Sequence, residues 1–335
     1  MKKVKILLTS KIAAGEYTYL IEKLDEQIKN KYELVVPDEY GENELLKFCE
    51  DVDVLLGSYI TKTIIEKSKR LKLIQLPWTG IEYLNFHELS NCSIPICNTH
   101  SNSQAVAEYA VTLLLNSAKQ IFTYDKLIRN GVWKSERDSL KKDSLLISDM
   151  KICILGYGNI GKKIASLLKP FNANIWAVAN PHRKDDLICK IYDRSELQKA
   201  VHNADAIINT IPLTDDTKGM IDSKVISCMK DEVIIVNVSR ALVIDEKALY
   251  QNVVEKRIKV FASDVWWKEP KSNEEKCVLS NYDIDWNNNA NVILSPHRAD
   301  LINGRFMHVD DEVENICNIY YNKKLKNRIE INRQY

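Results

Sequence analysis

A hexapeptide with three glycines, near the middle of the chain, limits the fold more than any other feature. It consists of Gly156, Tyr157, Gly158, Asn159, Ile160 and Gly161. It follows the apolar run Lys151–Leu155 and precedes the helical pattern Lys162–Leu168. Glycines at this spacing let the chain turn tightly after a strand and let a pyrophosphate approach the first amides of a helix. The context predicts a strand–turn–helix unit that binds a dinucleotide.

The same residues come close to a second nucleotide-binding pattern, the mononucleotide P-loop. Gly156, Gly161 and Lys162 fit its spacing, G-x-x-x-x-G-K. The next position should be Ser or Thr, whose hydroxyl holds magnesium, but it is Lys163. The nucleoside triphosphate interpretation therefore fails at its metal ligand.

Short apolar runs alternate with helical patterns along the whole chain, which is typical of β-α-β units and mostly parallel sheets. Predicted strands are Val4–Thr9, Glu33–Val36, Val52–Ser58, Leu71–Leu76, Ile94–Cys97, Lys151–Leu155, Asn174–Val178, Ala206–Ile211, Val233–Val238, Val260–Val265 and Val292–Ser295. The most helical segment is Gln104–Lys119, and Asn303–Tyr321 predicts a last long helix. The polar tail Lys326–Tyr335 is expected to fray.

Composition excludes several classes of protein. The 335 residues are 45% hydrophobic and 28% charged, and the formal charge is +1 with acids and bases interleaved, so nucleic-acid binding has no electrostatic support. We find no apolar stretch long enough to span a membrane. The eight cysteines have no paired spacing, which favours reduced thiols in a cytoplasmic protein. The histidines show no metal-ligand spacing either, so we expect no metal site.

Three short motifs follow apolar strands downstream of the glycine loop: Asn237–Arg240, Asp264–Pro270 and Ser295–His297. In this order they resemble the D-isomer-specific 2-hydroxyacid dehydrogenase family, and the resemblance covers nearly the whole chain. Other segments that fit are Leu73–Asn85, similar to the family's substrate loop, Asn98–Glu108, similar to its interdomain hinge, Pro212–Thr214 and Lys218–Asp222.

The resemblance implies an α/β protein with two doubly wound parallel-sheet domains. A Rossmann-type NAD(P)-binding domain, residues 101–299, is inserted into a flavodoxin-like substrate-binding domain, residues 1–100 and 300–335. It also implies a homodimer formed through the Gln104–Lys119 region. Trp266 and Trp267 are expected to pack between the domains, with a pocket wall as the alternative.

By the same resemblance Arg240, Glu269 and His297 form a catalytic triad. The residue types suit the chemistry: an arginine fork matches the oxygens of a 2-keto acid and polarises its carbonyl. Histidine is matched to proton transfer near neutral pH, and a neighbouring carboxylate fixes its tautomer and favours its charged form.

The resemblance also implies the residues that contact ligands. The expected substrate-binding residues are Trp78, Thr79, Gly80, Asn102, Arg240 and His297. Beyond the six residues of the glycine loop, the expected coenzyme-binding residues are Ala179, Asn180, His182, Arg183, Ile211, Pro212, Thr217, Val238, Ser239, Arg240, Asp264, His297 and Ala299.

The end of the strand Asn174–Val178 bears on the choice of coenzyme. An NAD-specific site places an acid there to bond the ribose hydroxyls, but the position falls on Ala179. Basic side chains follow, among them Arg183, which suits a 2′-phosphate. The sequence favours NADP(H), whereas Asp185 or Asp186 reaching the ribose remains the alternative.

The sequence predicts an oxidoreductase that moves hydride between NAD(P)(H) and a small 2-keto or D-2-hydroxy acid, in the reductive direction. Formate dehydrogenases of the superfamily carry glutamine where Glu269 stands, which argues against that activity. A phosphite-type dehydrogenase and a nucleotide-sensing, corepressor-like binding module stay open. Trp78 replaces a small residue that is common in the family's substrate loop, and Arg298-Ala299-Asp300 follows His297 where the family usually has x-Gly-Gly. These departures leave the substrate unnamed.

Overall fold

The structure is a computed structural model that describes residues 2–133, 144–179, 185–270 and 275–335. The chain divides into two compact units. The first comprises Met1–Asn102 with Leu301–Tyr335, and the second comprises Ser103–Asp300. Three of the expected coenzyme residues, Asn180, His182 and Arg183, lie outside the described residues.

The strands and helices alternate along the chain. The strands are β1 Val4–Leu8, β2 Tyr32–Val35, β3 Val54–Leu56, β4 Leu73–Gln75, β5 Ile96–Cys97, β6 Lys151–Leu155, β7 Asn174–Val178, β8 Lys190–Tyr192, β9 Ala206–Asn209, β10 Val233–Asn237, β11 Ile258–Ser263 and β12 Val292–Leu294. The helices are α1 Ala14–Ile28, α2 Glu42–Leu45, α3 Lys62–Lys67, α4 Phe86–Leu89, α5 Ser103–Lys119, α6 Ile121–Arg129, α7 Asn159–Leu168, α8 Leu197–Val201, α9 Ser223–Ser227, α10 Glu246–Val254 and α11 Met307–Tyr320.

The first unit is built on a five-stranded parallel sheet with the order β2-β1-β3-β4-β5. This is the flavodoxin-like order, with its switch point between β1 and β3. Alternate residues of β1 serve opposite faces: Ile6 packs with Leu24 and Val313, whereas Leu7 packs with Leu55 on the other side. Because both faces of the sheet are covered, its central strand β3 is buried and apolar throughout.

The C-terminal tail is ordered, so the expectation that it frays is wrong. The N–H of Ile329 donates to the carbonyl of Ile96, and that of Asn98 donates to the carbonyl of Asn327. Ile329 is buried in the core of the first unit. One apolar side chain and backbone pairing with β5 therefore hold a tail whose polar composition predicts disorder.

The second unit is built on a seven-stranded parallel sheet with the order β12-β11-β10-β9-β6-β7-β8. The chain order reverses between β6 and β9, as in the Rossmann fold, so the predicted fold class is confirmed. Helix α5 packs on this unit through buried residues such as Ala107 and Leu114, which share a core cluster with Ile154 and Ile164. Ligands of such sheets bind beyond the carboxyl ends of the strands at the switch point.

Strand β8 was absent from the sequence prediction. It is a short edge strand that pairs with β7 alone among the described strands, and its Lys190 is exposed. An edge strand with one covered face lacks the continuous apolar run that marks buried parallel strands.

None of the helices in the described ranges combines the length and the apolar character that crossing a bilayer requires.

Candidate active site

The glycine loop connects β6 to α7 at the switch point of the second unit. Gly156 has φ +88°, and a Cβ there would lie 2.9 Å from the carbonyl oxygen of Thr210. A Cβ on Gly161 would overlap the carbonyl oxygen of Gly156. A Cβ on Gly158, in contrast, would meet only open space among the described residues. Gly156 and Gly161 thus allow close packing of the backbone that a side chain would prevent, and Gly158 leaves open space beside the start of α7.

The loops that follow β9 and β10 are bonded to each other and to the glycine loop. Thr210 donates its hydroxyl to the carbonyl of Gly156 at 2.7 Å, and Ser239 donates to the carbonyl of Ile211. Thr217 donates to the carbonyl of Pro212 at 2.6 Å. The expected coenzyme residues after these strands therefore form one connected edge of the sheet.

The end of β7 carries no acid, since the strand is followed by Ala179. Asp185 lies near Tyr157 of the glycine loop: burial raises the pKa of Tyr157, and the charge of Asp185 raises that pKa further. Asp185 also accepts the backbone N–H of Leu187 at 3.0 Å. An acid near the loop is thus one that the sequence analysis kept as an alternative ribose ligand.

The three predicted catalytic residues follow the neighbouring strands β10, β11 and β12. Arg240 comes just after β10, with its Nη1 donating to the carbonyl of Ser239 at 2.8 Å. Glu269 follows β11, and His297 follows β12. Because parallel strands end at the same edge of the sheet, the three side chains are brought to one side of the second unit.

His297 and Glu269 are hydrogen-bonded. Nδ1 of His297 lies 2.7 Å from Oε2 of Glu269, and the side chains are 44% and 34% exposed. The hydrogen bond that His297 donates to Glu269, supported by the charge of the same carboxylate and opposed by burial, raises the pKa of His297. The charge of Arg240 acts against this rise, which places the guanidinium within electrostatic reach.

Glu269 is itself fixed by the chain around it. Its Oε1 accepts the backbone N–H of Trp266 at 2.9 Å. Burial pushes the pKa of Glu269 up, but the bonds from His297 and Trp266 and the charges of His297 and Arg240 lower it overall. The carboxylate is therefore held in its charged form beside the imidazole.

Asp264 shapes the turn that presents His297. Its buried carboxylate accepts the backbone N–H groups of Arg298 at 3.0 Å and Ala299 at 2.9 Å, and the hydroxyl of Ser295 donates to it as well. His297 has φ +48°, an uncommon conformation for a residue with a side chain that often marks functional sites. The bonds to Asp264 stabilise this conformation.

The expected substrate residues of the first unit are joined by hydrogen bonds. The hydroxyl of Thr79 donates to the carbonyl of Thr99 at 2.8 Å and lies 3.1 Å from Oδ1 of Asn102. Asn98 donates its amide to the carbonyl of Thr79 at 2.8 Å. Trp78 is half exposed, and its ring meets the ring of Tyr83 edge-on.

Asp311 of α11 supports this segment, and the sequence analysis missed it. Its Oδ2 accepts the backbone N–H groups of His100 at 2.6 Å and Ser101 at 2.8 Å. A carboxylate that caps two amides from more than two hundred residues away leaves no signal in local sequence spacing.

Trp266 and Trp267 lie in the core of the second unit, with Phe261 and Trp286, so the expectation that they pack between the domains is not met. Trp286 supplies the partner ring, and it lies in a segment that carried no sequence signal. Across the described part of the chain no cluster of three or more His, Cys, Asp or Glu side chains forms a metal site.

Comparison with known proteins places the chain in a family. The family model described as "D-isomer specific 2-hydroxyacid dehydrogenase, NAD binding domain" matches residues 111–299. The chain is 33% identical over 275 residues to the hydroxypyruvate reductase of Thermotoga maritima, covering 81% of this chain and 85% of that protein. The chain therefore belongs to the D-isomer-specific 2-hydroxyacid dehydrogenase family, and it is an oxidoreductase that uses a nicotinamide coenzyme.

Two further proteins are similar over most of the chain. The glyoxylate reductase of Pyrococcus furiosus is 28% identical over 302 residues, which is 88% of this chain and 85% of that protein. A solved acyclic imino acid reductase, in complex with NADPH and D-Arg, superposes with a TM-score of 0.75 at 25% identity. The matched region covers 98% of this chain and 100% of the chain of that structure.

Proposed function

We propose that the protein reduces a small 2-keto acid to the D-2-hydroxy acid, with Arg240, Glu269 and His297 as its catalytic residues. The observation that carries the proposal is the 2.7 Å hydrogen bond between His297 and Glu269, which favours the protonated imidazole. Reduction needs a proton donor at the substrate carbonyl, and a protonated histidine is that donor.

The nitrogen that donates the proton follows from the hydrogen bond. Nδ1 of His297 is engaged by Glu269, so Nε2 is the atom that gives its proton to the carbonyl oxygen of the substrate. Arg240 binds the oxygens of the keto acid through its guanidinium and stabilises the negative charge that develops on the carbonyl oxygen. A nicotinamide, when bound, would supply the hydride that the carbonyl carbon accepts.

The residues of the second unit fit a dinucleotide. The open space at Gly158 and the start of α7 directly after it make a cradle that a side chain would fill. The amides at the start of α7 would hold the pyrophosphate, and the connected loops with Ile211, Pro212 and Ser239 would line the coenzyme beside it. Residues 101–299 thus act as the coenzyme-binding domain.

Residues 1–100 and 300–335 act as the substrate-binding domain. Thr79 and Gly80 donate their backbone N–H groups to the substrate carboxylate, with Asn102 and Trp78 beside them. The names of the similar hydroxypyruvate and glyoxylate reductases support a substrate of two or three carbons.

The preferred coenzyme is NADP(H). The support is Ala179 at the end of β7, where an NAD-specific site has an acid, and the NADPH bound by the similar imino acid reductase. Arg183 then binds the 2′-phosphate. Asp185, which lies near Tyr157, is the residue that an NADH preference would require.

The protein acts as a cytoplasmic homodimer formed through the region of α5. Helix α6, which directly follows α5, exposes Ile121, Phe122 and Ile128 to solvent by 60%, 49% and 58%. Three exposed large apolar side chains on one short helix support the proposal that a second copy of the chain covers this surface.

A coenzyme-consumption assay tests the proposal. The purified protein is given NADPH or NADH with glyoxylate, hydroxypyruvate, pyruvate or a phosphonate-bearing keto acid, and the nicotinamide absorbance is followed. We expect turnover with at least one small 2-keto acid. Tight coenzyme binding without turnover of any keto acid would favour the corepressor-like module and contradict the proposed reaction.

A further inference from the structure

The turn that carries Glu269 is tied to its surroundings by two indole N–H groups. Nε1 of Trp267 donates to the carbonyl of Ile244 at 3.0 Å, and Nε1 of Trp266 donates to the carbonyl of Ser295 at 2.8 Å. Ile244 lies on the stretch that begins at Arg240, and Ser295 lies two residues before His297. Each indole thus connects the Glu269 turn to the segment of another catalytic residue.

Trp267 is held in place by a second tryptophan. The rings of Trp267 and Trp286 are stacked, with 7° between their planes and 5.4 Å between their centroids. Nε1 of Trp286 donates to Oε1 of Glu246, at the start of α10, at 3.1 Å. Trp286 is therefore fixed to the same stretch of chain that receives the hydrogen bond from Trp267.

These contacts lie in a dry core. Trp286 is 1% exposed and Trp267 is 9% exposed, and Phe261 of β11 packs against both rings. Water cannot replace a hydrogen bond that is lost at such a site, so the bond orients its partners more firmly than a surface bond does.

We propose that Trp267, held by its stack with Trp286, is a positioning residue that fixes the turn carrying Glu269 relative to the segment that begins at Arg240. This inference rests on the proposed catalytic roles of Arg240, Glu269 and His297. Trp267 touches none of the reacting groups. It acts through the turn, whose backbone N–H at Trp266 also binds Glu269.

The relative position of these two segments matters because charge-assisted hydrogen bonds depend steeply on geometry. A productive site keeps its groups within about 0.5 Å of their positions. When the turn loosens, Glu269 spends less time bonded to His297, so the pKa of His297 falls toward its ordinary value. Less of the imidazole is then protonated at a given pH, and reduction slows.

The test is Trp267→Phe, which keeps an aromatic ring for the stack and removes the indole donor. The matched control is Trp176→Phe. Trp176 lies on β7 in the same unit and is about as buried as Trp267, and it donates its indole N–H to the carbonyl of Ala200 at 2.9 Å. The control measures what the loss of a buried indole hydrogen bond does by itself.

For Trp267→Phe we expect kcat to fall about tenfold or more, as for a misplaced catalytic group, with the KM for the coenzyme unchanged. The alkaline limb of the pH–rate profile should move to lower pH. For Trp176→Phe the limb should stay at the parental pH. A Trp267→Phe enzyme whose kcat and limb both match Trp176→Phe would overturn the inference.

Two further measurements separate this inference from the proposed function. The pKa of His297 is read by NMR without substrate, with its signal assigned by its absence in His297→Gln. If the parent reduces no keto acid, the proposed function fails, but a lowered pKa of His297 in Trp267→Phe still supports the positioning role, and an unchanged pKa refutes it. If Trp267→Phe does not fold, the same shift is measured in Trp286→Phe, which removes the bond to Glu246.

Discussion

Nδ1 of His297 and Oε2 of Glu269 lie 2.7 Å apart, and the other oxygen of Glu269 accepts the backbone N–H of Trp266. One oxygen of the carboxylate thus orients the imidazole, and the other anchors the Glu269 side chain to the backbone. This arrangement makes Nε2 the proton donor in the proposed reaction and keeps the imidazole charged to higher pH than a free histidine.

Glu269→Gln should move the alkaline limb of keto-acid reduction to lower pH. The carboxylate raises the pKa of His297, and reduction uses the protonated form, so removal of the charge makes the imidazole lose its proton at lower pH. The measurement is kcat/KM against pH for parent and variant. A limb that stays in place or moves to higher pH would contradict the pairing.

Arg240→Lys should impair catalysis although it keeps the charge. An ammonium is a point charge and cannot grip two oxygens as a guanidinium fork does. We expect a higher KM for the keto acid together with a lower kcat, measured in steady state. Arg333→Lys, at an exposed pair with Glu330, is the matched control and should behave as the parent. An unchanged kcat/KM in Arg240→Lys would show that Arg240 does not bind the substrate.

Arg183→Ala should weaken the use of NADPH and spare that of NADH, because only NADPH carries the 2′-phosphate. The parent should show the higher kcat/KM with NADPH. Both coenzymes are compared with one substrate at fixed salt, since charge-dependent binding varies with ionic strength. A clear NADH preference in the parent would instead assign the ribose to an acid, and Asp185→Ala would then reduce NADH use.

Glu312→Gln should stabilise the protein relative to the parent at alkaline pH. Burial raises the pKa of Glu312 to about 8, with the charge of His308 lowering it and the charges of Glu16 and Asp311 raising it. The folded state therefore holds a proton that the unfolded state releases above about pH 4.3, so this group's contribution to stability declines between about pH 4.3 and about pH 8 and is constant at higher pH.

Glutamine keeps the shape of the protonated carboxyl group and cannot ionise. The difference in Tm between Glu312→Gln and the parent should therefore be larger at about pH 9 than at about pH 5. The measurement is thermal unfolding of both proteins in matched buffers. A difference of the same size at both pH values would show that Glu312 does not titrate on unfolding.

The order of elements could be read from the sequence because both sheets are parallel and covered on both faces. Such strands are continuous apolar runs, and β6 and β7 were predicted with the bounds that the structure gives them. Strand β8 and the tail pairing at Ile329 were not predicted, because each depends on one neighbouring strand at a sheet edge. Their stability comes from tertiary contacts that local patterns do not record.

The candidate site divides in the same way. Arg240, Glu269 and His297 follow recognisable strands, so their motifs could be found by position along the chain. The contacts that hold them could not: Asp264 was expected at the coenzyme but also binds the turn after β12, and Trp286 stacks on Trp267 from a segment without any pattern. Such contacts arise only when distant segments meet in the folded core.

The proton-donor role of His297 is tested most directly by comparing the rate of 2-keto acid reduction by His297→Gln with that of the parent enzyme. The parent is expected to oxidise the reduced coenzyme with a small 2-keto acid. In the variant, kcat should fall by about 10²–10⁴-fold, the usual contribution of general acid catalysis, while coenzyme affinity and Tm stay near the parental values. A variant that keeps near-parental kcat, with hydride transfer shown to limit the rate, would contradict the assignment of His297 as the proton donor.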